Sequence, residues 1–229
     1  MSSPHLPAPG DKAGEVQRMF DRIAPRYDLV NRVMTFGMDV GWRRRAVRAL
    51  GLPRRSVVID VACGTGDFCR EAEEAGLMPV GLDFSFGMLR AARTGAPLVQ
   101  GDGLRLPFKA GEADGVTCGF ALRNVTSIPS LFDEFARILR PGGRVAILEV
   151  AQPRASALRA GHHLYFHKVV PLIGGLLSDG AAYRYLPEST AYLPPRDELL
   201  GIVRAAGFTD AVSDPVGLGA VQIITGTRL

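Results

Sequence analysis

The sequence predicts a single α/β domain: an open, doubly wound, mostly parallel sheet with helices on both faces and one antiparallel strand near the C-terminus. Three observations carry this. Short β-rich runs alternate with helical patterns between residues 56 and 150, and that alternation calls for parallel strands joined by right-handed crossovers. The first run leads directly into a glycine turn and a helix, the unit with which such sheets present backbone to a ligand. Finally, 229 residues with 47% hydrophobic side chains suit one domain with a sizeable core better than two small ones.

The elements follow in order. Residues 1–14 are Pro-, Gly- and Ala-rich and poor in large apolar side chains, so a disordered leader is expected there and a single domain over 15–229. The start also lacks the charged head and apolar body of a signal peptide. N-terminal helices are expected over 15–50. Val16, Met19, Phe20 and Ile23 recur at helical spacing, and a second helix over 40–50 stops at Gly51-Leu52-Pro53. Residues 56–62 read as a buried strand, Cys63-Gly64-Thr65-Gly66 as a tight turn, and Asp67 opens a helix that runs towards Ala75. Residues 79–83 form the second strand, 87–93 its helix, 96–100 the third strand and 115–120 the fourth. The next helix shows one apolar face in Ile128, Leu131, Phe132, Phe135, Ile138 and Leu139, with Pro141-Gly142-Gly143 closing it before a fifth strand over 144–150. An aromatic-rich insertion over 155–190 holds His162, His163, Tyr165, Phe166, His167, Tyr183 and Tyr185. It either covers a ligand pocket or packs on the sheet as a helical hairpin. A helix over 198–206 and paired strands over 208–212 and 220–225 finish the chain.

Composition excludes several classes. Cys63, Cys69 and Cys118 have no metal-ligand spacing and cannot all pair, so a reducing cytosol is the default. His5, His162, His163 and His167 supply no HExxH pattern, and no metal is expected. No apolar run reaches the roughly 18–20 residues a bilayer requires. The net charge is +4, with a sequence pI of about 9.2. Much of the excess lies in Trp42-Arg43-Arg44-Arg45 with Arg48, Arg54 and Arg55, a pattern open to nucleic acid, an anionic membrane, or a plain solvated helix face.

The glycine turn narrows the ligand. Gly64-Thr65-Gly66 is followed by Asp67-Phe68-Cys69, so the third glycine of a dinucleotide fingerprint is missing and no Lys-Ser/Thr ends a phosphate loop. Asp60, Asp67, Asp83 and Asp102 cluster around successive strand ends. Each alone reads equally as a cap or turn former. Together they repel phosphate and suit an ammonium, a sulfonium, ribose hydroxyls and an adenine amino group, which is S-adenosylmethionine. Gly64 and Gly66 would let the backbone approach the methionine and ribose portions. Asp83 would accept from the ribose hydroxyls, and Asp102, beside Gly103, from the adenine amino group.

VVIDVACGTGDF, GLDFSFGML, GDGLRLPF, GFALRNVTS and ILRPGGRVAILE, with FDRIAPRYDLVNRVMTFGMDVGWRRRAV upstream and VVPLIGGLL and YRYLPEST in the insertion, together resemble the quinone-biosynthesis C-methyltransferases. The resemblance runs from Val16 to Phe208. It departs from the family pattern at Val30, Thr35, Asp39 and Ala151, where methionine, serine, histidine and serine are usual, and in the tail GLGAVQIITGT. It implies a class I methyltransferase Rossmann-like fold, S-adenosyl-L-methionine as methyl donor, and no metal. Thr65, Asp83, Asp102, Gly103 and Gly119 correspond to cofactor-contacting positions. Arg123 and Asn124 lie just past the fourth strand, near the reactive methyl, and Tyr27 of the YD motif closes over the pocket. Arginine is a poor general base because its pKa stays above about 12. Arg123 is therefore expected to stabilise a developing phenolate, with Asn124 or Tyr27 orienting it.

The implied acceptor is a prenylated quinol, demethylmenaquinol first, with a ubiquinone precursor as the alternative. A non-catalytic cofactor-binding scaffold of a quinone-synthesis complex is a third reading. The resemblance further implies a cytoplasmic protein peripheral to the inner face of the cytoplasmic membrane, docked by the insertion and the basic helix near Arg43, and leaves room for a homodimer. Nucleic acid is not an expected partner. Enzymes that methylate it often carry an Asn/Asp-Pro-Pro-aromatic motif after the fourth strand, where this chain has Ala121-Leu122-Arg123-Asn124.

Overall fold

The structure, a computed structural model, describes residues 11–151 and 164–229, apart from the side chains of residues 166, 167, 181 and 184. His162 and His163 fall outside the described residues, as do the first ten residues of the expected leader. Strands β1 (Val57–Val61), β2 (Met78–Asp83), β3 (Leu98–Gln100), β4 (Ala113–Gly119), β5 (Leu139–Val150), β6 (Phe208–Val216) and β7 (Val221–Arg228) form one sheet. Their order is β3-β2-β1-β4-β5-β7-β6. The first five pair in parallel. β7 runs antiparallel to both β5 and β6, so it is the one reversed strand, as the sequence predicts.

The sheet is covered on both faces because its side chains alternate. Ile59, Val116, Val145 and Ile147 point into a core with α6 (Ile128–Ile138) and α9 (Arg196–Ala205). Their neighbours Val58, Ala146, Leu148 and Ile223 point the other way, onto α3 (Met38–Ala49) and α4 (Asp67–Glu74). α5 (Phe86–Ala91) follows β2, and the Ser85 hydroxyl caps it by accepting from the Met88 amide at 3.1 Å.

One boundary differs instructively. The helix after β4 stops at Ile138, and Leu139 is already extended and paired with Ala113. Pro141-Gly142-Gly143 therefore lies inside β5, at the register shift opposite Ala113/Gly115. Proline lacks the amide proton and Gly142 has φ +78°, so the segment makes an irregularity in a strand instead of a helix stop.

A helical cap sits beside the sheet. It comprises α1 (Lys12–Ile23), α2 (Tyr27–Met34), α7 (Val170–Leu177), entered through a π-helical turn over Tyr165–Val169, and α8 (Gly180–Ser189). Ile23, Val30, Met34, Val170, Ala182 and Tyr183 pack into its own small core with Met88. α1 thus begins inside the expected leader, with Lys12 buried and its Nζ donating to Val125 O at 2.7 Å. The described part of the insertion, 164–190, forms a helical hairpin packed on α1 and α2 more than on the sheet. Gly174 is needed at its crossing, since a Cβ there would lie 2.1 Å from the Tyr183 ring.

The basic helix divides: Arg43 and Arg44 are held by internal pairs, while Arg45 and Arg48 are exposed. Arg43 is buried against Asp39 and Asp67, and Arg44 bonds Glu71 and Glu74. Two of the departures from the family pattern touch each other: the Thr35 hydroxyl donates to Asp39 Oδ1 at 2.8 Å. Among the described residues no helix is long and apolar enough to cross a membrane.

Candidate active site

Strand order reverses between β1 and β4, and a cavity of about 160 Å³ opens at the carboxyl ends of β1, β2 and β4. That is where an open α/β sheet leaves a crevice. Its lining includes Gly64, Asp83, Asp102, Gly103, Gly119 and Phe120; Tyr27 and Asn124 close one side. Ala62 after β1 and Phe120 after β4 both adopt φ +57°. A left-handed backbone costs a non-glycine residue on the order of 1 kcal/mol, and here it turns both chains sharply at the cavity edge.

The roof is α1. Ala13, Val16, Gln17 and Phe20 line the cavity from above. Gln17 Nε2 donates to Phe84 O at 3.0 Å, and Asp21 Oδ1 accepts from the Ser85 hydroxyl and from the Gly87 amide at 2.8 Å. Lys12 fixes the other end through Val125. Helical spacing in the sequence shows that α1 has an apolar face but not that the face looks onto a ligand cavity, so these residues were not foreseen as site residues.

The four aspartates separate by environment. Asp83 lies at the end of β2 and lines the cavity. Its carboxylate accepts from the Gly64 and Ser85 amides, each at 2.8 Å. Burial pushes its pKa up to about 6 against the pull of those amides. Asp102 is exposed at the mouth, with Oδ1 accepting from the Leu104 amide at 2.9 Å. Asp60 does not line the cavity. It is buried under the sheet end, accepting from Thr117 Oγ1 at 2.9 Å and from the Cys69 thiol, and burial raises its pKa to about 7. Asp67 is turned away, paired with Arg32, Arg43 and Arg70.

The glycine turn divides similarly. Gly64 has φ +55°, and a Cβ built on it meets no atom within 4 Å, so its backbone faces open cavity. A Cβ on Gly66 would instead meet Thr94 Cγ2 at 2.7 Å; Gly66 serves the turn and its packing. Thr65 is buried, its hydroxyl donating to Asp28 Oδ1. Asp28, the second residue of the YD motif, thus ties α2 to the glycine turn, a role that residue type alone does not reveal.

Arg123 stands one layer behind the cavity wall. It is buried, and its Nη1 pairs with the fully buried Glu149, which also accepts from the Leu122 and Val150 amides at 2.9 Å. Its Nε has no partner among the described residues. A void of about 10 Å³, room for one water molecule, is lined by Arg123, Asn124, Tyr27, Tyr183 and Tyr185. Asn124 and Tyr27 line both this void and the main cavity. Asn124 Nδ2 donates to Phe120 O at 3.2 Å and its Oδ1 accepts from the Tyr185 hydroxyl at 3.3 Å. Burial raises the Tyr27 pKa above the usual phenol value, which keeps it a neutral donor.

The residues fit S-adenosylmethionine. Two carboxylates face a narrow cavity, and the backbone at Gly64 leaves unfilled space where a side chain would intrude. Comparisons with known proteins agree. The model of the ubiE/COQ5 methyltransferase family matches residues 9–228. A protein of Roseiflexus castenholzii named demethylmenaquinone methyltransferase is 46% identical, covering 100% of this chain and 99% of its own length. A protein of Syntrophotalea carbinolica named ubiquinone/menaquinone biosynthesis C-methyltransferase is 40% identical, covering 93% of this chain and 94% of its own. The crystal structure of an S-adenosylmethionine-dependent methyltransferase from Thermotoga maritima superposes with a TM-score of 0.66. At 21% identity it covers 93% of this chain and 100% of that one, and it shows the shared fold.

Proposed function

The chain belongs to the ubiE/COQ5 methyltransferase family and is an S-adenosylmethionine-dependent methyltransferase; from that premise we propose that it methylates a ring carbon of a prenylated quinol, demethylmenaquinol. One observation carries the proposal: the cavity with its two carboxylates shares a wall, formed by Phe20, Tyr27 and Asn124, with the small void in front of buried Arg123. A cationic donor and an electron-rich acceptor can meet inside the cavity, with the Arg123 charge one water away behind that wall.

When bound, the cofactor supplies an electrophilic methyl group. The carbon that takes it would become nucleophilic as a neighbouring hydroxyl gives up its proton to solvent water, and after the new C–C bond replaces the methyl's bond to sulfur the ring carbon would lose its own hydrogen to water, restoring the aromatic ring. Asp83 would hold the ribose hydroxyls, Asp102 the adenine amino group, and the Gly64 backbone the methionine portion. Arg123 would stabilise negative charge developing on the quinol oxygen, through the single-water void. Glu149 offsets its charge beforehand and fixes its orientation. Tyr27 stays neutral and donates, and Asn124, oriented by Tyr185, completes the polar edge. Holding carbon and methyl in line supplies much of the remaining acceleration. The acceptor's prenyl tail makes the protein a peripheral one, working at the inner face of the cytoplasmic membrane.

Transfer of radiolabelled methyl to chemically reduced demethylmenaquinol, with a ubiquinone-precursor quinol and bulk RNA alongside, tests this. Label in menaquinol alone is the expected result. Label in both quinols marks a dual-purpose enzyme, in keeping with the double name of the Syntrophotalea relative. Tight cofactor binding with label in neither quinol overturns the acceptor and returns the scaffold reading.

A further inference from the structure

α7 is apolar all round: VPLIGGLL carries no charged or polar side chain. Its inner residues Val170, Ile173 and Leu177 pack with Val30 and Met34 of α2. Its outer residues face water, Leu172 63% and Leu176 76% exposed, with Val169 just before them. α2 repeats the arrangement. Behind buried Val30 and Met34, Leu29 and Val33 stand exposed, and Phe36, just past the helix, is 76% exposed. The Phe36 ring lies 6.1 Å from that of Tyr165, which joins the two helices at this surface. An all-apolar helix is ordinarily buried on every side, and a contiguous exposed apolar patch marks a partner.

The charges around the patch name the partner's chemistry. No Asp or Glu occurs in residues 29–38 or 164–178. The acids that border these segments turn inward or are paired: Asp28 with Thr65, Asp39 with Arg32 and Arg43, Asp179 with Arg22. Arg26 and Lys168 are exposed along the rim, beside the Arg22–Asp179 pair. An apolar stripe with a cationic rim and no free carboxylate is the pattern that settles into the headgroup boundary of an anionic bilayer.

We propose that the outer faces of α2 and α7 together dock this protein on anionic lipid. The proposal rests on the prenylated acceptor proposed above and assigns its point of entry. α2 also begins at Tyr27, in the cavity wall. One helix therefore meets lipid on its outside and the reacting groups at its start, so an acceptor ring can reach the cavity while its tail stays in the bilayer.

Co-sedimentation of the full chain with vesicles of phosphatidylglycerol mixed into phosphatidylcholine, at low and high salt, tests the surface. The expected result is binding that weakens with salt, and that Leu172→Ser with Leu176→Ser reduces roughly tenfold or more. Methyl transfer to a short-chain, water-soluble quinol should be equal in the variant and the parent, because neither leucine lines the cavity. Undiminished vesicle binding by the double variant overturns the proposal, as does absence of vesicle binding by the parent. A dimer in sedimentation velocity that the variant dissolves, with no vesicle binding by either, assigns the face to a second copy and also overturns it. Vesicle binding lost in the variant, with no turnover of any quinol by the parent, leaves the docking face standing and sinks the acceptor.

Discussion

Arg123 is 4% exposed and stands against a carboxylate that is itself fully buried. The sequence places this arginine at the ligand edge, just past a buried strand. That picture does not include Glu149. A glutamate next to the last residue of a strand gives no sign of facing inward, because strand alternation shows which residues share a face and not which face meets a loop. Removing one partner of a buried ion pair costs about 3–5 kcal/mol, so Arg123→Ala confounds catalysis with folding. Arg123→Lys keeps the charge and loses the planar fork. It is expected to lower kcat on the quinol at least about a hundredfold. Cofactor affinity by calorimetry should stay within a few-fold, because Arg123 does not line the main cavity. Turnover within a few-fold of the parent in Arg123→Lys would remove Arg123 from the chemistry.

At the scale of elements, α1 is the part of the site that a reading by strands overlooks. Parallel-sheet logic brings Gly64, Asp83, Asp102 and Gly103 to the crevice, because strand ends in such sheets converge there, and the family resemblance adds Gly119; all five line the cavity. It says nothing about an element that precedes the first strand and crosses over the top. The latch is physical: Asp21 Oδ1 accepts two hydrogen bonds from the β2–α5 turn, and Gln17 Nε2 donates a third to Phe84 O. With α1 bonded across the cavity, a bound cofactor leaves only as fast as the roof lifts. Asp21 is exposed, and its two bonds contribute on the order of 1–2 kcal/mol. Asp21→Ala should therefore speed cofactor dissociation roughly tenfold in stopped-flow experiments, with a small change in melting temperature. An unchanged dissociation rate would show that cofactor exchange does not pass beneath α1.

Across the whole molecule, the order and direction of the strands are legible from alternating β-rich and helical runs, down to the single reversed strand. The cap is less legible, because α2 and the insertion hairpin bury their apolar faces against each other and periodicity names no partner. The four aspartates illustrate the same boundary. Their clustering at strand ends is visible in the sequence, but whether each meets ligand, cation or core depends on packing. Asp60 takes the last role and has a consequence for the entire fold. It sits in β1, the strand between β2 and β4, and joins β4 through Thr117 and α4 through Cys69. Burial raises its pKa to about 7, well above the roughly 3.9 of an unfolded aspartate. A raised acid favours the fold while protonated. Its contribution is full below about pH 4 and is lost as pH rises towards and through about 7, a total on the order of 4 kcal/mol. Asp60→Asn preserves shape and the acceptor for Thr117 but cannot ionise. In denaturant titrations of the cofactor-free protein, the stability of the variant relative to the parent should therefore climb between pH 4 and pH 8. A difference that stays constant over that window would mean that Asp60 titrates alike in the folded and unfolded chain, and that burial at the sheet centre does not hold its proton.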